Sequence, residues 1–251
     1  MRDALISAAA HGAKVDVVLD GVFPFDPTGT RAAANAHLAA DLRAHGVKAR
    51  VAGADEATHT KAAVTDDVAW LDDRNFPSSG TDILVRDDEA ADVAAIQDRI
   101  AGDASSSERI AFTKGTALAL EARVLTDAPP GELDVATENF GYGAIYGLLK
   151  RRAEGGDHIR LLGDEREAAR GQDHQALAHL ASAGVEIRLR HDDDKIALAG
   201  MRAWIGSANA TYPSPEQSDW GLITQATPAV ALLHNRFEAA WNDPHDRPFI
   251  A

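Results

Sequence analysis

The sequence contains no cysteine, which excludes disulfide bonds and thiolate metal ligands. It also has no run of 18 apolar residues, so it predicts no transmembrane helix. The first 20 residues are polar and amphipathic and lack the apolar core of a signal peptide. These absences lead us to expect a cytoplasmic globular protein.

Positive charge is also scarce. The 251 residues include 25 lysines and arginines against 39 aspartates and glutamates, for a formal net charge of −14. A field of that sign opposes loose binding to nucleic acid or to an anionic membrane surface. Any phosphate chemistry must therefore depend on a few lysines in a cleft.

Helical and strand periodicities alternate along the chain, which predicts an α/β fold. Gly46 and Gly184 each follow a predicted helix, where glycine commonly ends the last turn. The predicted helices are Arg2–His11, Arg31–His45, Gly143–Glu154 and Gln172–Ala183, and the predicted strands are Lys14–Leu19, Val47–Val51, Val68–Leu71, Leu133–Thr137, Ile159–Leu162 and Val185–Leu189.

Three blocks of sequence recur in the same order, which indicates a duplicated unit. The polar stretch Gly102–Glu108 is the predicted seam, with a first unit at residues 1–101 and a second at 108–251. The matching pairs are Leu42–Val51 with Leu180–Leu189, Lys61–Asn75 with Lys195–Asn209, and Asp82–Ile100 with Asp219–Phe237.

The two units differ at their start. The second begins with the predicted strand Leu133–Thr137, whereas the first begins directly with a helix. Either the first unit lacks this strand or an upstream segment is missing from the sequence, and we favour the second interpretation.

Chemistry-bearing residues cluster in the first copy of the central block. His59, Lys61 and Asp66 follow the pattern H-x-K-x(4)-D, and Asn75 comes after the next predicted strand. Residues two apart on a strand share a face, so His59 and Lys61 are predicted to project together. An imidazole nucleophile beside a lysine and an amide suits attack on a phosphodiester, because the two cationic or polar groups can hold the phosphoryl oxygens.

These motifs resemble the phospholipase D superfamily, whose signature is H-x-K-x(4)-D followed by G-S-x-N, present twice per active site. The resemblance extends over nearly the whole chain through the repeat. It implies two pseudo-repeated lobes, each a mixed sheet flanked by helices, with the site at their interface. It also implies a phosphohistidine intermediate, protonation of the leaving group by a second histidine, and no metal or other cofactor.

The sequence departs from this signature in both units. In the first, Asp72 and Asp73 replace the Gly-Ser pair. In the second, Lys195 and the run Gly206–Asn209 are intact, but Asp193 stands where histidine is expected and Gly200 where aspartate is expected. The general acid of the superfamily mechanism is therefore missing from its usual place.

Three outcomes follow for the leaving group. Asp193 could donate the proton from a buried cleft that raises its pKa. His191, two residues earlier, could donate it if the strand is bulged. Otherwise nothing donates it, and the second unit only binds phosphate.

The resemblance assigns roles by position. His59 is the nucleophile, and Asp66 is a motif residue that is catalytic or structural. Asp82 and Asp219 correspond to carboxylates that orient an imidazole, and Asp219 is the better placed to serve His59. The predicted phosphate-binding residues are Lys61, Lys195, Asn75 and Asn209, with Ser207 assisting.

The sequence thus predicts a phosphodiesterase that acts on a phospholipid or a small phosphodiester, with nucleic acid as an open alternative. Its rival is a catalytically impaired phosphate-binding protein of the same fold. We expect a monomer, although a homodimer that joins two first motifs is a third alternative. The run Asp192–Asp194 predicts no metal site, since adjacent residues on a strand point to opposite faces.

Overall fold

A computed structural model describes residues 1–251 except 23–27, 54–55, 57, 75–82, 104, 192–193, 212–217 and 251. The elements of the predicted first unit are α1 Arg2–Ala10, β1 Asp16–Leu19, α2 Thr30–Ala44, β2 Lys48–Val51, β3 Ala62–Thr65, β4 Val68–Asp72, β5 Leu84–Asp87 and α3 Ala90–Ala101. Those of the second are β6 Ile110–Ala111, α4 Thr116–Asp127, β7 Glu132–Thr137, α5 Ala144–Glu154, β8 His158–Asp164, α6 Glu165–Ala168, α7 Gly171–Ser182, β9 Glu186–Arg190, β10 Ile196–Ala199, β11 Arg202–Gly206, β12 Gly221–Thr224, α8 Thr227–Trp241 and β13 Arg247–Pro248.

An 8-stranded mixed sheet with the order β13-β9-β8-β7-β10-β11-β12-β6 forms the centre of the fold. Strand β7 pairs parallel with β8 on one side and antiparallel with β10 on the other. Helices α4, α5 and α7 bury apolar side chains on one face of this sheet. The other face packs against α3 and α8, and the sheet is therefore covered on both faces.

The strands of the first unit form two smaller sheets. Strands β1 and β2 make a parallel pair, and β3, β4 and β5 make an antiparallel sheet. The β1–β2 pair, with α1 and α2, surrounds a small apolar cluster of its own. Leu71 and Ala69 of β4 instead join the core beneath α3 and α8, which ties the antiparallel sheet to the second unit.

The β3–β4 and β10–β11 hairpins have the same construction. In each, a lysine directly precedes the first strand and its carbonyl accepts a hydrogen bond from the last residue of the second strand: Asp72 N to Lys61 O at 2.9 Å, and Gly206 N to Lys195 O at 3.2 Å. Both turns begin with a residue of positive φ, Asp66 at 54° and Gly200 at 59°.

The α/β prediction is confirmed, and the predicted helices and strands agree with the structure to within about two residues at each end. One local prediction was wrong. His59 and Lys61 lie in the segment before β3 and not on the strand itself, because the pairing with β4 begins at Ala62. No helix in the described ranges is both long enough and apolar enough to cross a bilayer.

The left-handed turn at Asp66 gives a first prediction. Aspartate tolerates positive φ whereas β-branched residues do not, so Asp66→Val should lower the free energy of unfolding by about 1–2 kcal/mol. Asp66→Gly, which copies Gly200, should change it by less than about 0.5 kcal/mol. Urea unfolding measures both, and Asp67→Val at the adjacent exposed position is the control. Equal tolerance of valine at both positions would contradict this account of the turn.

Candidate active site

The segment that carries His59 packs against the backbone just before strand β12 of the second unit. Thr58 forms a parallel bridge with Ser218. The carbonyl of Ser218 accepts hydrogen bonds from the backbone N–H of His59 at 2.9 Å and from the Thr60 hydroxyl at 2.8 Å. The backbone on both sides of the imidazole is thus fixed by one residue of the other unit.

Asp219 holds the imidazole itself. Its Oδ1 lies 2.8 Å from Nδ1 of His59 and accepts a second hydrogen bond, also 2.8 Å, from the Ser207 hydroxyl. The Ser207 oxygen in turn accepts the Trp220 backbone N–H at 3.1 Å. Asp219 is 2% exposed, whereas the His59 side chain is 38% exposed. A buried carboxylate therefore supports an imidazole that solvent or a ligand can reach.

A second hydrogen bond links the two units next to the His59–Asp219 pair. The indole N–H of Trp220, a fully buried side chain, donates to the carbonyl of Asp72 at 2.8 Å. Asp72 ends β4, and Trp220 precedes β12, so the ends of the two hairpin sheets are joined beside His59.

Two buried lysines supply the positive charge of the site. Lys61 is 9% exposed and Lys195 is 2% exposed. Burial lowers the pKa of Lys61 to about 7; the charge of Asp219 opposes that shift, and the charge of Lys195 adds to it. The two ammonium groups are therefore close enough to repel each other, as two ligands of one phosphate would be.

Glu138 partly neutralises these lysines. Its Oε2 lies 3.1 Å from Nζ of Lys195. Burial favours a higher pKa for Glu138, but Lys195, with smaller contributions from His59 and Lys61, holds it below the usual range. Glu138 is therefore a carboxylate close to both predicted phosphate-binding lysines, Lys61 and Lys195.

Asp73 occupies the position that Ser207 has in the second unit. The backbone N–H of Ile83 donates to Asp73 Oδ1 at 2.9 Å, as Trp220 N donates to Ser207. Asp73 is 1% exposed, and its Oδ2 has no hydrogen-bond partner in the described part of the chain. Burial raises the pKa of Asp73 to about 7, against the opposing effects of Ile83 N–H and Lys195.

Comparison with known proteins gives a fold match. No protein-family model and no curated protein sequence matches the chain. Polyphosphate kinase from Porphyromonas gingivalis superposes over 99% of this chain with a TM-score of 0.73 and 14% identity, and phosphatidylserine synthase from Haemophilus influenzae over 99% with 0.59 and 8%. Nuc, a phospholipase D family member from Salmonella typhimurium, superposes over 57% of this chain with 0.50 and 14%.

The chain has the phospholipase D fold. The resemblance seen in the motifs is thereby confirmed at the level of the fold. The chain spans 42% of the polyphosphate kinase chain and 85% of the phosphatidylserine synthase chain, whereas it accounts for 98% of Nuc.

Within this phospholipase D fold, the structure brings together His59, Lys61, Lys195, Ser207 and Asp219. Asn209 lies next to them, and its Oδ1 accepts the Asn139 backbone N–H at 3.3 Å. Asp66 lies at the far end of β3 from Lys61. Three predicted site residues, Asn75, Asp82 and Asp193, lie outside the described residues.

His191 has an exposed side chain. It is 63% exposed, and its ring nitrogens lie 4.0 Å from a carboxylate oxygen of Asp164 and 3.7 Å from one of Glu165. Its nearest recorded charged neighbours therefore belong to the start of α6 and not to the lysine pair.

Sequence reasoning missed Glu138 and the burial of Asp73. Glu138 follows β7 directly, and the carboxyl end of a parallel strand is where α/β folds place polar site residues. This position after a strand was the sequence signal that could have identified Glu138. For Asp73, the signal was its alignment with Ser207, a residue already assigned to the site.

The carboxylates Glu132, Asp134 and Glu238 come close enough together to suggest a cation site. Their common partner is the guanidinium of Arg160, which lies 2.7 Å from Asp134 and 2.6 Å from Glu238. Arg160 therefore already supplies the positive charge that a metal ion would bring.

The raised pKa of Asp73 predicts a pH-dependent stability. The folded protein holds this proton more tightly than the unfolded chain, so the resulting stability is present below the ordinary pKa of 3.8 and is lost as pH rises through about 7. Relative to wild type, Asp73→Asn should gain about 1–3 kcal/mol of unfolding free energy between pH 4 and pH 8. Urea unfolding across this range, with Asp67→Asn as control, tests it, and a constant difference would contradict a raised pKa.

Proposed function

We propose that this protein is a metal-independent phosphodiesterase of the phospholipase D type, with His59 as the nucleophile. The hydrogen bond between His59 Nδ1 and Asp219 Oδ1 carries the proposal, because it connects the histidine of the first motif to a carboxylate of the second predicted unit. A buried carboxylate that holds one ring nitrogen is a recurring means of orienting a reactive imidazole.

The tautomer follows from that contact. An ionised Asp219 can only accept hydrogen bonds, so Nδ1 of a neutral His59 carries the proton and Nε2 carries the lone pair. Nε2 attacks phosphorus, the N–P bond forms, and the bond from phosphorus to the leaving oxygen breaks. Water then attacks phosphorus and the N–P bond breaks. The phosphomonoester keeps the oxygen and one proton of that water, the other proton goes to solvent, and the neutral histidine is restored.

Lys61 and Lys195 neutralise the non-bridging oxygens of the phosphoryl group in this mechanism. Their burial strengthens the electrostatic interaction with an anion, because little water screens it. Asn75 and Asn209 would add amide hydrogen bonds. Ser207 acts through Asp219, to which its hydroxyl donates.

Protonation of the leaving group is the weak step. Asp193 is the candidate donor by position, whereas the exposed His191 would have to reorient from its place beside Glu165. General acid catalysis contributes on the order of 10²–10⁴-fold. We therefore propose an enzyme that handles good leaving groups far better than poor ones.

The second candidate function is phosphate binding without turnover. Two observations favour it: the second motif has Asp193 in place of histidine, and Glu138 already pairs with Lys195. In this alternative the lysines hold an anionic ligand, and His59 contributes one more hydrogen bond.

The superpositions guide the proposals about architecture and substrate. Nuc corresponds in length to roughly half of this chain, which supports two lobes at residues 1–101 and 108–251 with the site between them in one monomer. Polyphosphate kinase and phosphatidylserine synthase match almost all of the chain, which supports phosphoryl-group transfer as the reaction class. The acidic balance favours a lipid or small-molecule diester over nucleic acid.

Turnover of bis-(4-nitrophenyl) phosphate with chelator present tests the nucleophile separately from the missing acid, because nitrophenolate leaves without protonation. His59→Ala should lower the rate at least ~10³-fold. His37→Ala, at an exposed position on α2, is the matched control and should keep the wild-type rate.

Two results distinguish the candidates. Chelator-resistant turnover that disappears only in His59→Ala supports the enzyme. No turnover by folded wild-type protein, together with saturable phosphate binding, would favour the binding function.

The lowered pKa of Lys61 predicts how the Michaelis constant changes with pH. A phosphodiester keeps one negative charge, so its affinity should fall as Lys61 loses its proton above about pH 7. We expect KM to rise about tenfold from pH 6 to pH 9 in the wild type. Lys61→Arg, which stays charged, should abolish the rise, and a wild-type KM that is flat over this range would contradict the assignment.

A further inference from the structure

The proposed hydrolysis needs a base as well as a nucleophile. Water must lose a proton as its oxygen bonds to phosphorus, even where the leaving group needs none. The second motif has Asp193 where the signature has histidine, and the exposed His191 lies beside Asp164 and Glu165. A carboxylate close to the phosphoryl group would fill this role.

The pairing of two strands places Glu138 beside Lys195. Glu138 directly follows β7, in which Ala136 pairs with Ile196 of β10. Lys195 directly precedes Ile196, so the antiparallel register brings the end of β7 to the start of β10. Oε2 of Glu138 lies 3.1 Å from Nζ of Lys195. This contact is therefore built on the central sheet.

The backbone that follows Glu138 is fixed against the second motif. The N–H of Asn139 donates to Oδ1 of Asn209 at 3.3 Å. Phe140 then forms a parallel bridge with Ala210. Glu138 is thus held by β7 before it and by these contacts after it. A side chain on a fixed backbone loses little freedom when it takes part in a reaction.

Glu138 differs from its acidic neighbours in its access to solvent. Its side chain is 38% exposed, the same fraction as that of the proposed nucleophile, His59. Three other acidic groups whose charge reaches the lysines are at most 4% exposed: Asp72, Asp73 and Asp219. A carboxylate that is both beside Lys195 and open to solvent can exchange a proton with bulk water.

Glu138 is ionised in the free protein. Burial favours a higher pKa for this carboxyl, but the neighbouring cations, Lys195 above all, hold its pKa below the usual range. An ionised carboxylate has no proton to give to a leaving group, but it can accept one from water. The ion pair uses Oε2, so Oε1 remains to accept that proton. Glu138 therefore suits the hydrolytic step and not the first step.

Glu138 and His59 belong to different predicted units. His59 lies two residues from Lys61 in the first, and Glu138 contacts Lys195 in the second. A phosphoryl group bound by both ammonium groups therefore has the imidazole on its first-unit side and the carboxylate on its second-unit side. Displacement at phosphorus needs the attacking and leaving atoms roughly in line. Water that displaces His59 must therefore attack from the side of Glu138.

We propose that Glu138 is the catalytic base of the hydrolytic step, an inference that rests on the proposed role of His59 as nucleophile. Oε1 of Glu138 accepts a proton from water as the water oxygen bonds to phosphorus. The bond from phosphorus to Nε2 of His59 breaks, and its electrons return to Nε2 as the lone pair. The phosphomonoester leaves with the water oxygen and its other proton. The exposed Glu138 then releases the proton that it accepted to solvent.

Glu138→Gln keeps the size of the side chain and removes its basic oxygen. With bis-(4-nitrophenyl) phosphate the first step needs no acid, so the rate of histidine phosphorylation should stay within about fivefold of wild type. The hydrolytic step should slow at least ~10²-fold, which gives a burst of about one nitrophenolate per active site before a slow steady state. Stopped-flow absorbance measures the burst, and mass spectrometry of alkali-quenched protein detects the 4-nitrophenylphosphoryl group on His59. Glu154→Gln, at an exposed ion pair on α5, is the matched control and should behave as wild type.

A second variant tests the proton transfer directly. Glu138→Ala removes the carboxylate and leaves room for a small one. Sodium formate should therefore raise the steady-state rate of Glu138→Ala at least ~10-fold, whereas it should not accelerate His59→Ala. A carboxylate with a purely structural role would not be replaced in this way, so no response to formate would contradict the proposal.

The remaining outcomes separate this proposal from its rivals. A lower KM with an unchanged kcat and no accumulated adduct in Glu138→Gln would overturn it, because Glu138 would then only compete with substrate for Lys195. Accumulation of the adduct in Asp193→Asn but not in Glu138→Gln would assign the base to Asp193 instead. Turnover that survives His59→Ala, or no turnover by the folded wild type, would overturn the proposed function and this proposal with it.

Discussion

The hydrogen bond between His59 and Asp219 is the interaction on which the candidate site depends. The two residues are 160 positions apart, and they lie in different predicted units of the repeat. Asp219 is positioned by Ser207 and by the entry to β12, while His59 is positioned by the carbonyl of Ser218. Neither predicted unit contains this arrangement by itself, so the candidate site requires both parts of the chain packed together.

The buried lysines explain how so acidic a chain can offer a candidate site for an anion. Lys61 and Lys195 are buried side by side, and the protein compensates them with Asp219 and Glu138. Burial lowers the pKa of Lys61 to about 7, and Asp219 and Glu138 only partly oppose that shift. In the proposed function, an incoming phosphodiester would supply further negative charge and would compete with Glu138 for Lys195. The same balance therefore governs both the catalytic and the binding interpretation.

Much of the architecture could be predicted because it depends on local pattern. Period and capping glycines located the helices and strands, and the motif spacing singled out His59, Lys61, Lys195 and Ser207, which the structure brings close together. Glu138 was missed although its place after β7 was visible, because its contact with Lys195 arises only in three dimensions. The strand prediction for His59 was wrong because the strand period says nothing of where pairing begins. Burial of Asp73 likewise depends on contacts across the repeat, although its alignment with Ser207 was visible.

The tautomer of His59 is the most direct test of this account, because it reports the contact with Asp219 without requiring a substrate. Nitrogen NMR of ¹⁵N-histidine-labelled protein at about pH 8 distinguishes a protonated Nδ1 from a protonated Nε2. The account predicts that His59 has its proton on Nδ1, and that Asp219→Asn removes this preference while the other histidines keep their signals. A proton on Nε2 in the wild type, unchanged by Asp219→Asn, would contradict the proposal that Asp219 orients the nucleophile.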